Sequence, residues 1–242
     1  MIEAVTFDFW NTIARLPPGA MTQARQRAIA RACEEHEVEV EAELLARSLE
    51  DVGLHWEEAW AAGRHLHPRE GAALLARALG VGEAAQDAVA EAFLEAGREV
   101  PLELAPDVDA ALAALAARGI RIGIVCDVGF SGGELLRGLL QREGLLDHFS
   151  GWAFSDEVGA YKPSCEIFEA ALTALGAQPE RALHVGDLRR TDVAGAVAMG
   201  MRSARYRGMH DDPDSASGIE ADHVLDSHLE LVAVVGRIQG EP

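Results

Sequence analysis

The 242-residue chain is poor in lysine, in cysteine and in positive charge altogether. It has 40 Asp and Glu against 21 Lys and Arg, a formal net charge of −19. That balance offers no basic face to a nucleic acid and none to an anionic membrane. Three cysteines, Cys33, Cys126 and Cys165, are an odd number without close spacing, which speaks against a disulfide framework and a zinc knuckle. No apolar run approaches the roughly 18 residues that a bilayer span needs. The opening Met1-Ile2-Glu3-Ala4-Val5 has neither the basic nor the long apolar region of a signal peptide. The expectation is a soluble cytoplasmic protein, monomer or homodimer, without nucleic-acid or membrane partners. Scarcest of all is lysine. Twenty of the 21 basic residues are arginine, and the only lysine is Lys162.

What is present is ordinary for a globular protein: 49% hydrophobic and 25% charged residues. The length suits one large or two small domains and can bury a substantial core without staples. Residues 4–9, Ala-Val-Thr-Phe-Asp-Phe, read as a buried strand. Pro17-Pro18-Gly19 then breaks the chain. From about 20 to 100, Ala, Leu, Glu and Arg dominate at helical spacing. Helices are predicted over 21–35, 41–52, 54–62, 69–79 and 83–98, punctuated by Gly53, Gly63, Gly80 and Gly82. Beyond Pro101 helix and strand alternate. Strands are predicted at 120–125, 152–154, 182–185, 201–206 and 223–225, with a polar loop over 208–222. Strands separated by helices imply a parallel sheet with crossover helices. The expected fold class is α/β: a doubly wound, Rossmann-like core of residues 1–16 plus 103–242, with an all-helical domain, 17–102, inserted after the first strand.

Ligands of open α/β sheets sit outside the carboxyl ends of the strands. Asp8, Trp10, Asn11 and Thr12 follow the first strand, and Cys126 and Asp127 the second. Lys162-Pro163 follows the third, and Gly186, Asp187 and Asp192 the fourth. Asp8 and Asp187 would be two carboxylates at one sheet edge, a mutual repulsion that a hard cation such as Mg²⁺ resolves. Lys162 adds a compact positive charge. Together they make a place for a phosphoryl group and for an Asp that attacks it as nucleophile.

These residues resemble the four motifs of the haloacid dehalogenase superfamily, in order and over the whole chain. Asp8-Phe9-Trp10-Asn11-Thr12 matches the first motif, and Ile122-Gly123-Ile124-Val125-Cys126-Asp127 the second. Lys162-Pro163 matches the third, and Gly186-Asp187 with Asp192 the fourth. The helical block matches the family's inserted (C1-type) cap. The resemblance implies a Mg²⁺-dependent phosphohydrolase acting on a small phosphorylated metabolite through an aspartyl-phosphate. By it Asp8 is nucleophile and metal ligand, and Lys162 neutralises the nucleophile and the phosphoryl oxygens. Asp187, Asp192 and the backbone carbonyl of Trp10 complete the metal shell. Thr12, Cys126 and Asp127 serve the substrate side.

Two departures stand out. Trp10 occupies the place where phosphatases of the family carry a second Asp, the general acid–base, and indole offers only an N–H donor. Losing a general acid–base costs about 10²–10⁴-fold. Cys126 stands where a hydroxyl usually binds the phosphoryl oxygen, and a thiol is a weaker donor. An aromatic residue at the position of Trp10 is also found in the 2-haloacid dehalogenase branch, where Asp attacks carbon without a metal. That reading stays open, as does a ligand-binding or regulatory protein that has lost turnover. Schiff-base chemistry on a cap lysine is excluded, because the helical block contains no lysine. In that block His65 and His67 are candidate replacement acid–bases, and Trp56 and Trp60 share a helix face.

Overall fold

The first apolar run forms β1 (Ala4–Phe7), buried at every position. After a tight turn the chain makes β2 (Ala14–Arg15). Four helices follow: α1 (Ala20–Glu35), α2 (Ala42–Ala61), α3 (Pro68–Ala78) and α4 (Glu83–Glu95). The next strand, β3 (Glu103–Leu104), pairs antiparallel with β2. From there α5 (Val108–Ala117), β4 (Arg121–Cys126), α6 (Gly133–Arg142) and β5 (Gly151–Phe154) alternate. A single turn, α7 (Ser155–Val158), precedes α8 (Cys165–Leu175) and β6 (Ala182–Gly186). A π-type turn, Arg189–Val193, runs into α9 (Ala194–Ala198). Then come β7 (Arg202–Tyr206), β8 (His223–Leu225) and α10 (His228–Gln239). This computed structural model describes residues 1–213 and 218–240; part of the expected polar loop, 214–217, therefore lies outside the described residues. Among the described residues no helix is long and apolar enough to cross a membrane.

The chain divides into two units. One comprises Met1–Arg15, Glu103–Asp127 and Leu140–Pro242, the other Leu16–Leu102 and Val128–Leu139. The α/β unit holds a six-stranded sheet of order β5-β4-β1-β6-β7-β8, parallel at every pairing. β1 is central, and the path from it goes first to β4 on one side and later to β6 on the other. Such a reversal opens a crevice at the carboxyl end of the central strands. Register matters here: Thr6 of β1 lies opposite His184 of β6. Side chains two apart on a strand share a face, so Thr6 and the residue at position 8 point the same way. Helix α8 covers this sheet with Ile167, Phe168, Ala171, Leu172 and Leu175, all buried at three- and four-residue spacing.

The helical unit packs Ile29, Cys33, Val52, Leu75, Val89, Phe93 and Phe130 into a core of its own. Two features differ from the sequence expectation. Helix α2 runs through Gly53 instead of breaking there; the position is open space, and a mid-helix glycine costs only about 1 kcal/mol against alanine. Residues 128–139, expected with the sheet, cluster with the helices because Phe130 joins their core. His67 caps α3: its Nδ1 accepts from the backbone N–H of Arg69, and Glu70 returns to the His67 N–H. The ribbon of β2 and β3 is two residues a side, too short for any periodicity to announce.

Candidate active site

Asp8 stands immediately after β1, and its N–H still donates to the carbonyl of Val185 at 2.8 Å. The chain then closes on itself: the carbonyl of Phe9 accepts from the N–H groups of Thr12, Ile13 and Ala14. Asn11 takes the left-handed conformation this needs, φ 56°, one that Asn tolerates better than most residues. The side chain of Asp8 is thereby held at the mouth of the sheet, 5% exposed.

Lys162, also 5% exposed, comes to meet it. Its backbone N–H donates to Asp127 Oδ1 at 3.0 Å, which ties the lysine segment to the end of β4. Its ammonium donates to Asp8 Oδ1 at 2.6 Å and to Asp192 Oδ1 at 2.7 Å. Asp192 lies in the π-type turn and is saturated with donors. His184 Nε2 reaches Oδ1 at 3.0 Å, while the N–H of Leu188, at 3.0 Å, and the Thr191 hydroxyl, at 3.4 Å, reach Oδ2. Behind His184, the Thr6 hydroxyl lies 2.9 Å from Nδ1. Burial holds His184 below the usual imidazole range despite Asp192. A neutral ring that donates from Nε2 must accept at Nδ1, so the Thr6 O–H is the donor there. The sequence Thr6, His184, Asp192, Lys162, Asp8 is thus one continuous buried chain of hydrogen bonds. Gly186 makes room for it: a Cβ there would sit 2.2 Å from Asp192 Cγ.

Asp187 completes the group. It accepts from Asn11, and His210 Nδ1 lies 3.0 Å from its Oδ2. Asp8, Asp187 and Asp192 each bring an oxygen within 4.8 Å of the others, an arrangement that could hold a metal ion. The three carboxylates do not share their charge equally. Burial raises Asp8 well above the usual carboxylate range, even against Lys162. Burial, and then the charge of Asp192, push Asp187 up to about 7. Asp192 goes the other way: burial would raise it, but Lys162 and His184 outweigh that and hold it well down. Lys162 remains charged, because the surrounding acids overcome its burial.

Asp8, Lys162, Asp187 and Asp192, singled out in the sequence, therefore converge, with Asp127 joined through the lysine backbone. Cys126 is buried at the end of β4, and burial, then Asp8, raise its thiol well above the ordinary range. Thr12 is fully buried; its hydroxyl has no hydrogen-bond partner among the described residues, while its carbonyl lies 2.8 Å from His228 Nε2. The Trp10 indole is half-buried, edge-on to Phe9 with ring centroids 4.7 Å apart. In the helical unit Trp56 and Trp60 stack at 5.5 Å. Arg189, which follows Asp187 closely in the chain, pairs with Asp212 and Glu220. Sequence reasoning passed over Thr6, His184 and His210. A polar residue inside each of two apolar strand runs was the available signal for the first two. His210, in a polar loop, gave none.

Comparison with known proteins decides the family. Residues 2–200 match the haloacid dehalogenase-like hydrolases. The chain belongs to this family. It is therefore a hydrolase of the haloacid dehalogenase type, with curated phosphatases among its relatives. A glyceraldehyde 3-phosphate phosphatase of Methanopyrus kandleri is 30% identical over 97% of each chain. A phosphoserine phosphatase of Thermus thermophilus is 38% identical, but over 53% of this chain and 50% of its own length. Among solved structures, a phosphatase of the family from Thermococcus onnurineus superposes with a TM-score of 0.70 at 25% identity, covering 97% of this chain and 98% of its own. A 2-haloacid dehalogenase from Pseudomonas syringae reaches 0.69, also at 25% identity, covering 98% and 100%.

Proposed function

We propose that this hydrolase is a Mg²⁺-dependent phosphohydrolase of small phosphorylated metabolites, with Asp8 as nucleophile. The observation that carries the reading is the buried hydrogen-bond chain that ends on Asp8, with Asp187 beside it. Asp8 and Asp187 fit a divalent cation. Burial, first of all, raises both acids above the usual carboxylate range, and a cation beside them would favour their ionised forms. With the backbone carbonyl of Trp10 they would hold the ion, and Asp192 would serve it from behind, its own oxygens being engaged. When bound, the ion neutralises charge on the phosphoryl oxygens and on Asp8.

The protein's own groups then divide the work. Asp8 Oδ attacks phosphorus, the P–O bond to the leaving group breaks, and an acyl-phosphate forms on Asp8; water later attacks that phosphorus and frees Asp8. Lys162 stabilises the charge on the phosphoryl oxygens and fixes Asp8 for in-line approach. Asp192, oriented by His184, keeps Lys162 in place. By the same reading Cys126, Thr12 and Asp127 would serve the substrate, Asp127 through its hold on the Lys162 backbone. His210 holds Asp187 in orientation from outside. Trp10 leaves the departing oxygen without a carboxylic acid to protonate it, so leaving groups of low pKa are favoured.

The test is phosphate release from a panel of phosphate esters, with Mg²⁺ and with chelator, beside Asp8→Asn. Activity that needs both the ion and Asp8 is expected; equal activity in wild type and Asp8→Asn would refute the reading. Trp10→Asp should raise turnover of esters with poor leaving groups. A second reading, attack by Asp8 on a carbon–halogen bond, draws support from Trp10 and from the likeness to the Pseudomonas syringae dehalogenase. Halide release from 2-haloacids, insensitive to chelator, would favour it.

A further inference from the structure

On the helical unit, α1, α2 and the aromatic core border a groove of about 370 Å³ that includes Arg25, Leu49, Glu50, Phe93 and Phe130. The Arg25 guanidinium lies over the Phe93 ring, 4.3 Å from its centroid, with the Phe130 centroid at 5.7 Å. Its Nε donates to the Phe93 carbonyl at 3.3 Å. That bond and the two rings are its contacts among the described residues; no carboxylate pairs with it. This is odd in a chain with 40 acidic residues. Other arginines, among them Arg15, Arg31, Arg189, Arg205 and Arg207, each have an acid. Glu50 lines the same groove without pairing with Arg25. Burial, unopposed by any acid, lowers Arg25 to about 10.

A half-buried cation without a counter-charge is costly, and the two rings return only part of that cost. The Phe93 ring and the Phe93 carbonyl together hold the guanidinium in place. With Nε engaged, its two terminal nitrogens are the donor fork that matches carboxylate or phosphate bidentately. Leu49 and the edges of Phe93 and Phe130 supply an apolar wall for the remainder of a molecule. We propose that this groove binds the carboxylate or phosphate group of a small organic anion, with Arg25 as its anchor. The groove belongs wholly to the helical unit, and the proposal is independent of the chemistry at Asp8.

Phenylglyoxal, which condenses with the uncharged guanidine, reports on it directly when its adducts are mapped by mass spectrometry on the intact wild-type chain. Arg31, exposed and held up by Glu35, is the internal control. Inorganic phosphate and benzoate are the two probes, each added separately. Labelling of Arg25 should slow about tenfold at ten times the probe's Kd, while labelling of Arg31 stays constant. Protection by benzoate alone assigns a carboxylate ligand and protection by phosphate alone a phosphate; either supports the proposal. The labelling is read at Arg25 itself and needs no turnover, so failure of the phosphatase reading leaves this readout intact. Unchanged labelling with both probes would overturn it. So would failure of phenylglyoxal to reach Arg25, since a groove closed to that reagent is closed to benzoate. Equal labelling of Arg25 with and without probe in wild type, but faster labelling in Glu50→Gln, would show that Glu50 is itself the counter-ion and overturn it as well.

Discussion

The two raised carboxylates make the stability of the metal-free protein depend on pH in an unusual direction. Asp187 titrates at about 7 in the folded chain and near 3.9 when unfolded. Between those values the folded state holds a proton that the unfolded state has released. Folding stability from this group is therefore fully present below the unfolded pKa and is lost as pH rises through about 7. Each pH unit in that window is worth about 1.4 kcal/mol, so roughly 2–3 kcal/mol disappears between pH 5 and pH 8. The assay is urea unfolding of wild type and Asp187→Asn, both with chelator, at several pH values in that range. Asn cannot titrate, so the difference between the two proteins isolates Asp187. Wild type should lose ground against the variant as pH rises, and added Mg²⁺ should restore wild type selectively at pH 8. A difference that stays flat, or that grows in favour of wild type with rising pH in chelator, refutes the reasoning.

Three further outcomes follow from the same geometry. Lys162→Met leaves Asp8 and Asp192 buried without their shared cation; unfolding free energy should fall by about 3–5 kcal/mol at neutral pH, measured by urea titration in chelator. Gly186→Ala puts a Cβ 2.2 Å from Asp192 Cγ, which displaces Asp192 and Lys162 with it; turnover should fall on the order of 10²-fold while circular dichroism shows a folded chain. His210→Ala removes the outer hydrogen bond to Asp187; Mn²⁺ affinity, read by the free-ion electron paramagnetic resonance signal, should weaken about 10–100-fold, with partial recovery in His210→Asn.

Much of this molecule was legible because strand ends are marked in the sequence by the change from apolar to acidic. Ala-Val-Thr-Phe gives way to Asp8, and Ala-Leu-His-Val-Gly to Asp187. The helical block was equally plain from its spacing. Gly53 misled, because a glycine in an exposed helix interior weakens a helix without ending it. The support behind the site was hidden for a different reason. Thr6 and His184 are 178 residues apart, and nothing in either run tells which strand will lie beside which. Only the register of β1 on β6 makes them neighbours, and only that pairing explains why two polar side chains stand inside apolar strands. His210 was hidden more completely still, since a histidine in a polar loop carries no periodicity at all.

The solitary lysine has a consequence for the chemical labelling of the chain. Lys162 is sealed between two carboxylates at 5% exposure, so the folded protein presents no side-chain amine to its surroundings. Acylating reagents and aldehydes that modify exposed lysines find none on these 242 residues while they are folded. The same fact turns the site into its own reporter. One isotope-labelled amine in the entire chain would give one resonance, and any reagent that reaches a lysine has reached Asp8.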